Sequence, residues 1–159
     1  MVPDLLTKKD ILQNAIDFAH ALDIEQPKVA ILAAVEEVKP QMQSTIDAAA
    51  LCKMADRGQI TGALLDGPLA FDNAISQQSA DIKHIHSPVT GDVDILLVPD
   101  LEAGNMLGKQ LIYLGEAKAA GIVMGSKVPI VLTSRSDDEL DRLYSIALGA
   151  YVAQKRKQA

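Results

Sequence analysis

Three short apolar runs limit what this chain can fold into. Residues 60–65 run into Asp66-Gly67-Pro68-Leu69-Ala70-Phe71-Asp72, and residues 93–98 into Pro99-Asp100-Leu101-Glu102-Ala103-Gly104-Asn105. Residues 129–133 run into Ser134-Arg135-Ser136-Asp137-Asp138. Each run stops at a polar turn and gives way to a helical pattern. Strands alternating with helices predict an α/β fold: a mostly parallel sheet with helices on both faces. In such a sheet ligands bind just beyond the carboxyl ends of the strands. Polar residues repeated at those ends therefore mark a candidate site.

The rest of the chain extends the alternation. Thr7-Lys8-Lys9-Asp10 has the pattern of a capping box, and Ile11, Leu12, Ala15, Ile16, Ala19 and Leu22 follow at helical spacing. Residues 29–34 form a wholly apolar strand, the habit of a parallel sheet buried on both faces. A second helix opens at Ser44 or Thr45 and closes at Gly58. A third is expected over 73–83, a fourth over 104–114 and a last one over 136–155. That last helix carries Leu140, Leu143, Tyr144, Ala147, Leu148 and Tyr151 on one face. Residues 121–124 form a further strand. Only four residues separate it from 129–133, and a parallel crossover needs a dozen or more. The two are antiparallel neighbours, or one belongs elsewhere.

At 159 residues the chain is long enough for one domain with a real core. A net charge of −6 argues against nucleic acid, which selects basic faces. The basic cluster Lys155-Arg156-Lys157 reads as a solvated last helical turn, where cations suit the helix dipole. The lone Cys52 excludes an internal disulfide framework and favours a reducing cytoplasm. It lies in an apolar helical stretch, so it reads as a spectator rather than a nucleophile. No apolar run reaches membrane-spanning length and no signal pattern opens the chain. The chain reads as soluble and cytoplasmic.

Ser134 has two readings, a cap for the last helix or a hydrogen-bond donor in a site. Arg135 also has two, a bidentate anion site for phosphate or carboxylate or an ion pair with Asp137, Asp138 or Glu139. Asp137 and Asp138 suit the first turn of a helix, and either could act as a base. Asp66, Gly67, Pro68 and Asp72 form a second group, in which Asp72 can cap the helix that follows. Pro99, Asp100, Gly104 and Asn105 form a third, in which Gly104 permits close approach of a ligand. His84 and His86 alone are a weak metal signal.

These motifs carry a resemblance. The stretches Lys28-Val29-Ala30-Ile31-Leu32, Met54-Ala55-Asp56-Arg57-Gly58, Asp66-Gly67-Pro68-Leu69-Ala70-Phe71-Asp72-Asn73, Pro99-Asp100-Leu101-Glu102-Ala103-Gly104-Asn105 and Thr133-Ser134-Arg135 resemble phosphate acyltransferases. The phosphate butyryltransferase branch looks nearest, including Leu143-Tyr144-Ser145-Ile146-Ala147-Leu148. The resemblance implies transfer of a short, butyryl-type acyl group between coenzyme A and inorganic phosphate, giving acyl phosphate and free CoA. It implies no metal or redox cofactor, with CoA as substrate or product. It also implies a homodimer and a fold related to isocitrate and isopropylmalate dehydrogenases, with two α/β domains around a cleft.

By this resemblance residues 1–159 are one α/β domain, the C-terminal half of the family pattern, and 129–159 pack with an N-terminal domain that is absent. Ser134 and Arg135 inherit the family's serine–arginine pair. Asp137 is chosen over Asp138 for the aspartate that takes the CoA thiol proton. Asp66, Gly67, Pro68, Asp72, Pro99, Asp100, Gly104 and Asn105 are expected to bind substrate. A catalytically silent CoA-binding or assembly domain is the rival reading. A metal-dependent dehydrogenase is disfavoured because Asp66, Asp72 and Asp100 are too few and too differently placed.

Overall fold

A computed structural model describes residues 2–158. Its sheet has the strands β1 (Lys28–Leu32), β2 (Leu64–Leu69) and β3 (Ile95–Leu97), all parallel, in the order β2-β1-β3. Side chains alternate across a strand, so the apolar run of β1 serves two cores. Val29 and Ile31 face α1 (Leu5–Ala21) and α2 (Gln43–Asp56), packing with Leu12, Ile16, Ala48 and Leu51. Ala30 and Leu32 point the other way, against Leu69, Ala74 and Val89. The expected parallel sheet covered on both faces is present.

Several boundaries differ from the sequence reading, each for a local reason. Helix α1 starts at Leu5 because the Asp4 carboxylate accepts the Thr7 N–H at 2.8 Å. Thr7-Lys8-Lys9-Asp10 therefore lies inside the helix and is not its cap. Lys8 joins the buried face and pairs with Asp47 of α2 at 2.6 Å. The expected third helix is two, α3 (Phe71–Ile75) and α4 (Gln77–Ile82). Ser76 breaks it with an extended backbone, and its hydroxyl caps α4 by accepting the Ser79 N–H.

Strand β2 starts later than expected and runs straight through Asp66-Gly67-Pro68, which are thus not a strand-end turn. Pairing with β1 skips from Ala30↔Asp66 to Leu32↔Leu69. Pro68 has no N–H to give the ladder, and it sits where proline is tolerated, on an edge strand and at an irregularity of the pairing. Gly67 sits where a Cβ would lie 2.7 Å from the Ile31 carbonyl oxygen and 2.8 Å from the Ile31 Cβ. Gly67→Ala is therefore expected to destabilise the domain by about 1–3 kcal/mol through overpacking. A lower urea midpoint at unchanged slope would show it, and an unchanged midpoint would refute it.

Helix α5 (Leu101–Tyr113) begins with Asp100, whose carboxylate accepts the Ala103 N–H at 2.9 Å. The short strands β4 (Ile122–Val123) and β5 (Ile130–Val131) pair antiparallel, as their brief connection requires. The last helix, α6 (Glu139–Gln158), starts after Ser136 because the Asp138 carboxylate accepts the Asp141 N–H at 2.8 Å. Ser134 therefore does not cap it. Its buried residues are Ser145, Gly149 and Val152, and not the expected apolar face: Leu140, Leu143 and Tyr144 are 50%, 57% and 45% exposed. The terminal cations are not merely solvated. Lys155 pairs with Asp23 at 2.6 Å, and Arg156 donates to the Ser126 carbonyl at 2.9 Å. Among the described residues no helix is long and apolar enough to cross a membrane.

Candidate functional site

Helix α5 separates two cavities. The smaller, 380 Å³, lies at the carboxyl ends of the strands, against Leu32, Ala33, Phe71, Val98 and Pro99, and takes Leu107 from one face of α5. It is a mainly apolar recess in the position where a parallel sheet binds ligands. The larger, 660 Å³, lies on the other face of α5. There Gly104 and Asn105 share one lining with Ser134, Asp137 and Asp138. Two of the three predicted groups thus contribute to one cavity, although thirty residues separate them in sequence.

The Ser134 wall is held by local bonds. Asp137 Oδ2 accepts the Ser134 N–H at 2.6 Å, and the hydroxyls of Ser134 and Ser136 lie 2.9 Å apart. This turn leaves the second carboxylate oxygen of Asp137 without a hydrogen bond among the described residues. Arg135 is exposed beside this wall and does not line the cavity. The ion pair with Asp137, Asp138 or Glu139 is not formed: among the described residues Arg135 has no carboxylate within 4.0 Å.

The other predicted residues are placed apart. Gly104 sits where a Cβ would meet Val98 at 2.9 Å, so it lets α5 close on the end of β3. Asp100 is the α5 cap, and Pro99 lines the smaller cavity. Asp66 accepts the Gly67 N–H at 2.8 Å within β2. Asp72 is not a cap, since it lies inside α3, whose N-cap is Ala70. Its carboxylate accepts the Ser79 hydroxyl at 2.5 Å and pairs with Lys83 at 2.8 Å. Those two bonds, Lys83 first, hold its pKa down to about 2.

The sequence reading missed what surrounds Asp72. Lys83 also pairs with Glu36 at 2.8 Å, and Glu36 accepts from the buried Asn73 amide at 2.6 Å. The bond to Glu36 orients the amide, and among the described residues Asn73 Oδ1 is buried without a hydrogen-bond partner. Lys83 lies ten residues or more beyond its partners' segments, so no local pattern announces this cluster.

Cys52 is half-buried, and burial, reinforced by Asp66 and Asp56, pushes its thiol up to about 12. The thiolate is the reactive form. The native chain is therefore expected to resist iodoacetamide at pH 8 and to label readily in urea. Equal labelling rates in the two conditions would contradict the buried setting. Among the described residues no group of three or more His, Cys, Asp or Glu is disposed to hold a metal. His84 and His86 stand exposed on the loop after α4.

Comparison with known proteins places this geometry. Residues 1–150 match the model of a family described as phosphate acetyl/butaryl transferase. The chain is 60% identical over 157 residues to a phosphate acetyltransferase of Rhizobium meliloti, covering 99% of this chain and 50% of that protein. It is 51% identical over 155 residues to a probable phosphate butyryltransferase of Bacillus subtilis strain 168, covering 98% of this chain and 52% of that one. The crystal structure of a branched-chain phosphotransacylase from Enterococcus faecalis V583 superposes with a TM-score of 0.87 at 36% identity, over 96% of this chain and 55% of that one. The chain spans about half the length of the curated relatives it matches.

Proposed function

Because the chain belongs to the phosphate acetyl/butaryl transferase family, we propose that it works in transfer of a short-chain acyl group between coenzyme A and inorganic phosphate. The observation that carries this reading is the shared lining of Ser134, Asp137, Gly104 and Asn105 around one 660 Å³ cavity. Such a volume suits a small-molecule ligand.

In the proposed step a phosphate oxygen attacks the thioester carbonyl carbon. A C–O bond forms, the C–S bond breaks, and its electron pair leaves on sulfur. Ser134 Oγ donates a hydrogen bond to the thioester oxygen or sulfur. Arg135 holds phosphate and stabilises the developing oxyanion, the largest single contribution in acyl transfer of this kind. Its free guanidinium, with no carboxylate partner among the described residues, supports that role. In the reverse direction Asp137 takes the thiol proton, and its bond to the Ser134 N–H keeps the two groups together. The butyryl-type preference belongs to this proposal, and relatives named for both acetyl and butyryl transfer resemble the chain strongly.

A second reading is favoured by one fact, the half-length match to the relatives. In it this domain holds CoA, and transfer requires a further α/β domain packed against residues 129–158. The exposed Leu140, Leu143, Tyr144 and Ile146 on α6 support such packing. Thiol release from butyryl-CoA and acetyl-CoA, with and without phosphate, separates the readings. Phosphate-dependent release is expected if the chain suffices. CoA binding without release selects the second reading. Release that ignores phosphate would exclude acyl transfer to phosphate.

A further inference from the structure

We propose that Asp23 and Lys155 are positioning residues: they latch the far end of α6 to α1 and so hold the Ser134–Asp138 turn across the cavity from α5. The turn is joined to α6, because the Asp138 carboxylate accepts the Asp141 N–H at 2.8 Å and the Asp138 carbonyl accepts the Arg142 N–H at 3.2 Å. Any tilt of α6 therefore carries the turn with it. Yet α6 holds the rest of the chain with little apolar surface. Its buried residues are the small Ser145 and Gly149 together with Val152, and its main contacts are α1, β4 and β5. A Cβ at Gly149 would meet Val131 Cγ2 at 2.8 Å, so α6 lies close on β5 and forms one unit with the hairpin. The 660 Å³ cavity lies between the turn and α5, so their separation is set by how α6 sits on α1.

What seats α6 on α1 is polar. Asp23 follows α1 in the left-handed conformation, at φ 63°, with its N–H bonded to the His20 carbonyl at 2.9 Å. Aspartate is among the residues that tolerate this conformation. Its carboxylate accepts from Lys155 Nζ at 2.6 and 2.8 Å and from the Tyr151 hydroxyl at 2.9 Å. Those bonds, Lys155 first, hold it below the usual carboxylate range. Arg156 adds its bond to the Ser126 carbonyl, and the hairpin rests on α1 at Gly125, where a Cβ would lie 2.9 Å from Asn14 Nδ2. Lys155 lies about 25 Å along α6 from the turn, so a small tilt of the helix swings the turn over a long arm. That the turn carries transfer chemistry rests on the acyl-transfer reading; the latch itself does not.

Amide exchange at Gly121, whose N–H donates to Ser145 Oγ at 3.0 Å, reads the seating of α6. Spin labels at Met106→Cys on α5 and Leu143→Cys on α6, both exposed, read the distance across the cavity in a Cys52→Ala background. Asp23→Asn and Lys155→Gln are each expected to speed Gly121 exchange by about fivefold, the upper range for one exposed ion pair. Each should also broaden the label distance, while the amides of β1 keep their rates. Lys155→Arg, which retains the charge, should exchange like the wild type. The paired side chains are 33% and 65% exposed, so about 1 M KCl should speed exchange in the wild type and not in Asp23→Asn. Unchanged Gly121 exchange, faster exchange at an unchanged label distance, or a Lys155→Arg chain as fast as Lys155→Gln overturns the inference. So does equal acceleration in β1, which would make the pair a contributor to global stability alone. None of these measurements involves CoA or phosphate. Thiol release that ignores phosphate, which removes the acyl-transfer reading, leaves the latch standing.

Discussion

Arg135→Ala is expected to lower phosphate-dependent thiol release by about a hundredfold or more, the usual cost of one oxyanion contact. The variant is clean because the native side chain is exposed and has no ion-pair partner among the described residues. Its melting temperature should match the wild type, so lost rate cannot be charged to lost fold. Arg135→Lys adds a second readout. A lysine keeps the charge but loses the planar, bidentate fork, so it should recover only part of the rate. If Arg135 works in the transition state, kcat falls. If it only gathers phosphate, the KM for phosphate rises with kcat retained. A hundredfold loss with intact folding places the guanidinium in the reaction. Near-normal release in Arg135→Ala would remove it from the mechanism, leaving Ser134 and Asp137 to be tested alone.

Lys8→Met should cost about 3–5 kcal/mol of folding stability, the penalty for leaving one charge of a buried pair without its partner. Lys8 and Asp47 retain only 5% and 8% of their side-chain exposure and meet at 2.6 Å, between α1 and α2. Among the described residues the one remaining side-chain hydrogen bond to Asp47 is from Gln43 at 2.8 Å, a neutral amide that cannot replace an ammonium. The double variant Lys8→Met/Asp47→Leu removes both charges and fills the space with apolar atoms, so it should regain most of the loss. Urea unfolding of the single and double variants measures this as a coupling energy. Additive losses in the double variant would mean that the pair does not interact as its geometry states.

Much of the fold was legible because it depends on nearest neighbours along the chain. The wholly apolar residues around Val29–Leu32 could satisfy only a strand covered on both faces, and β1 is the central strand. The short link between β4 and β5 could close only an antiparallel pair. The candidate site was legible in part. Polar strand ends pointed to Ser134, Asp137, Gly104 and Asn105, which line one cavity. The same logic placed Asp66-Gly67-Pro68 at a strand end, where Gly and Pro usually signal a turn. They lie within β2 because Gly67 is needed for close approach to Ile31, and Pro68 coincides with the skipped register.

The sequence by itself determined the strand–helix order, the parallel sheet and the motifs that identify the family, since periodicity and spacing are local properties. The tertiary structure alone decided which faces are buried. Lys8 reads as a surface residue until Asp47, thirty-nine positions away, is packed against it. Helix α6 shows its large apolar residues outward because Ser145 points inward to accept the Gly121 N–H at 3.0 Å. The shared lining of α5 and the Ser134 turn likewise exists only once α5 and α6 are folded. Burial and charge pairing depend on which distant segment arrives, and no local pattern encodes that.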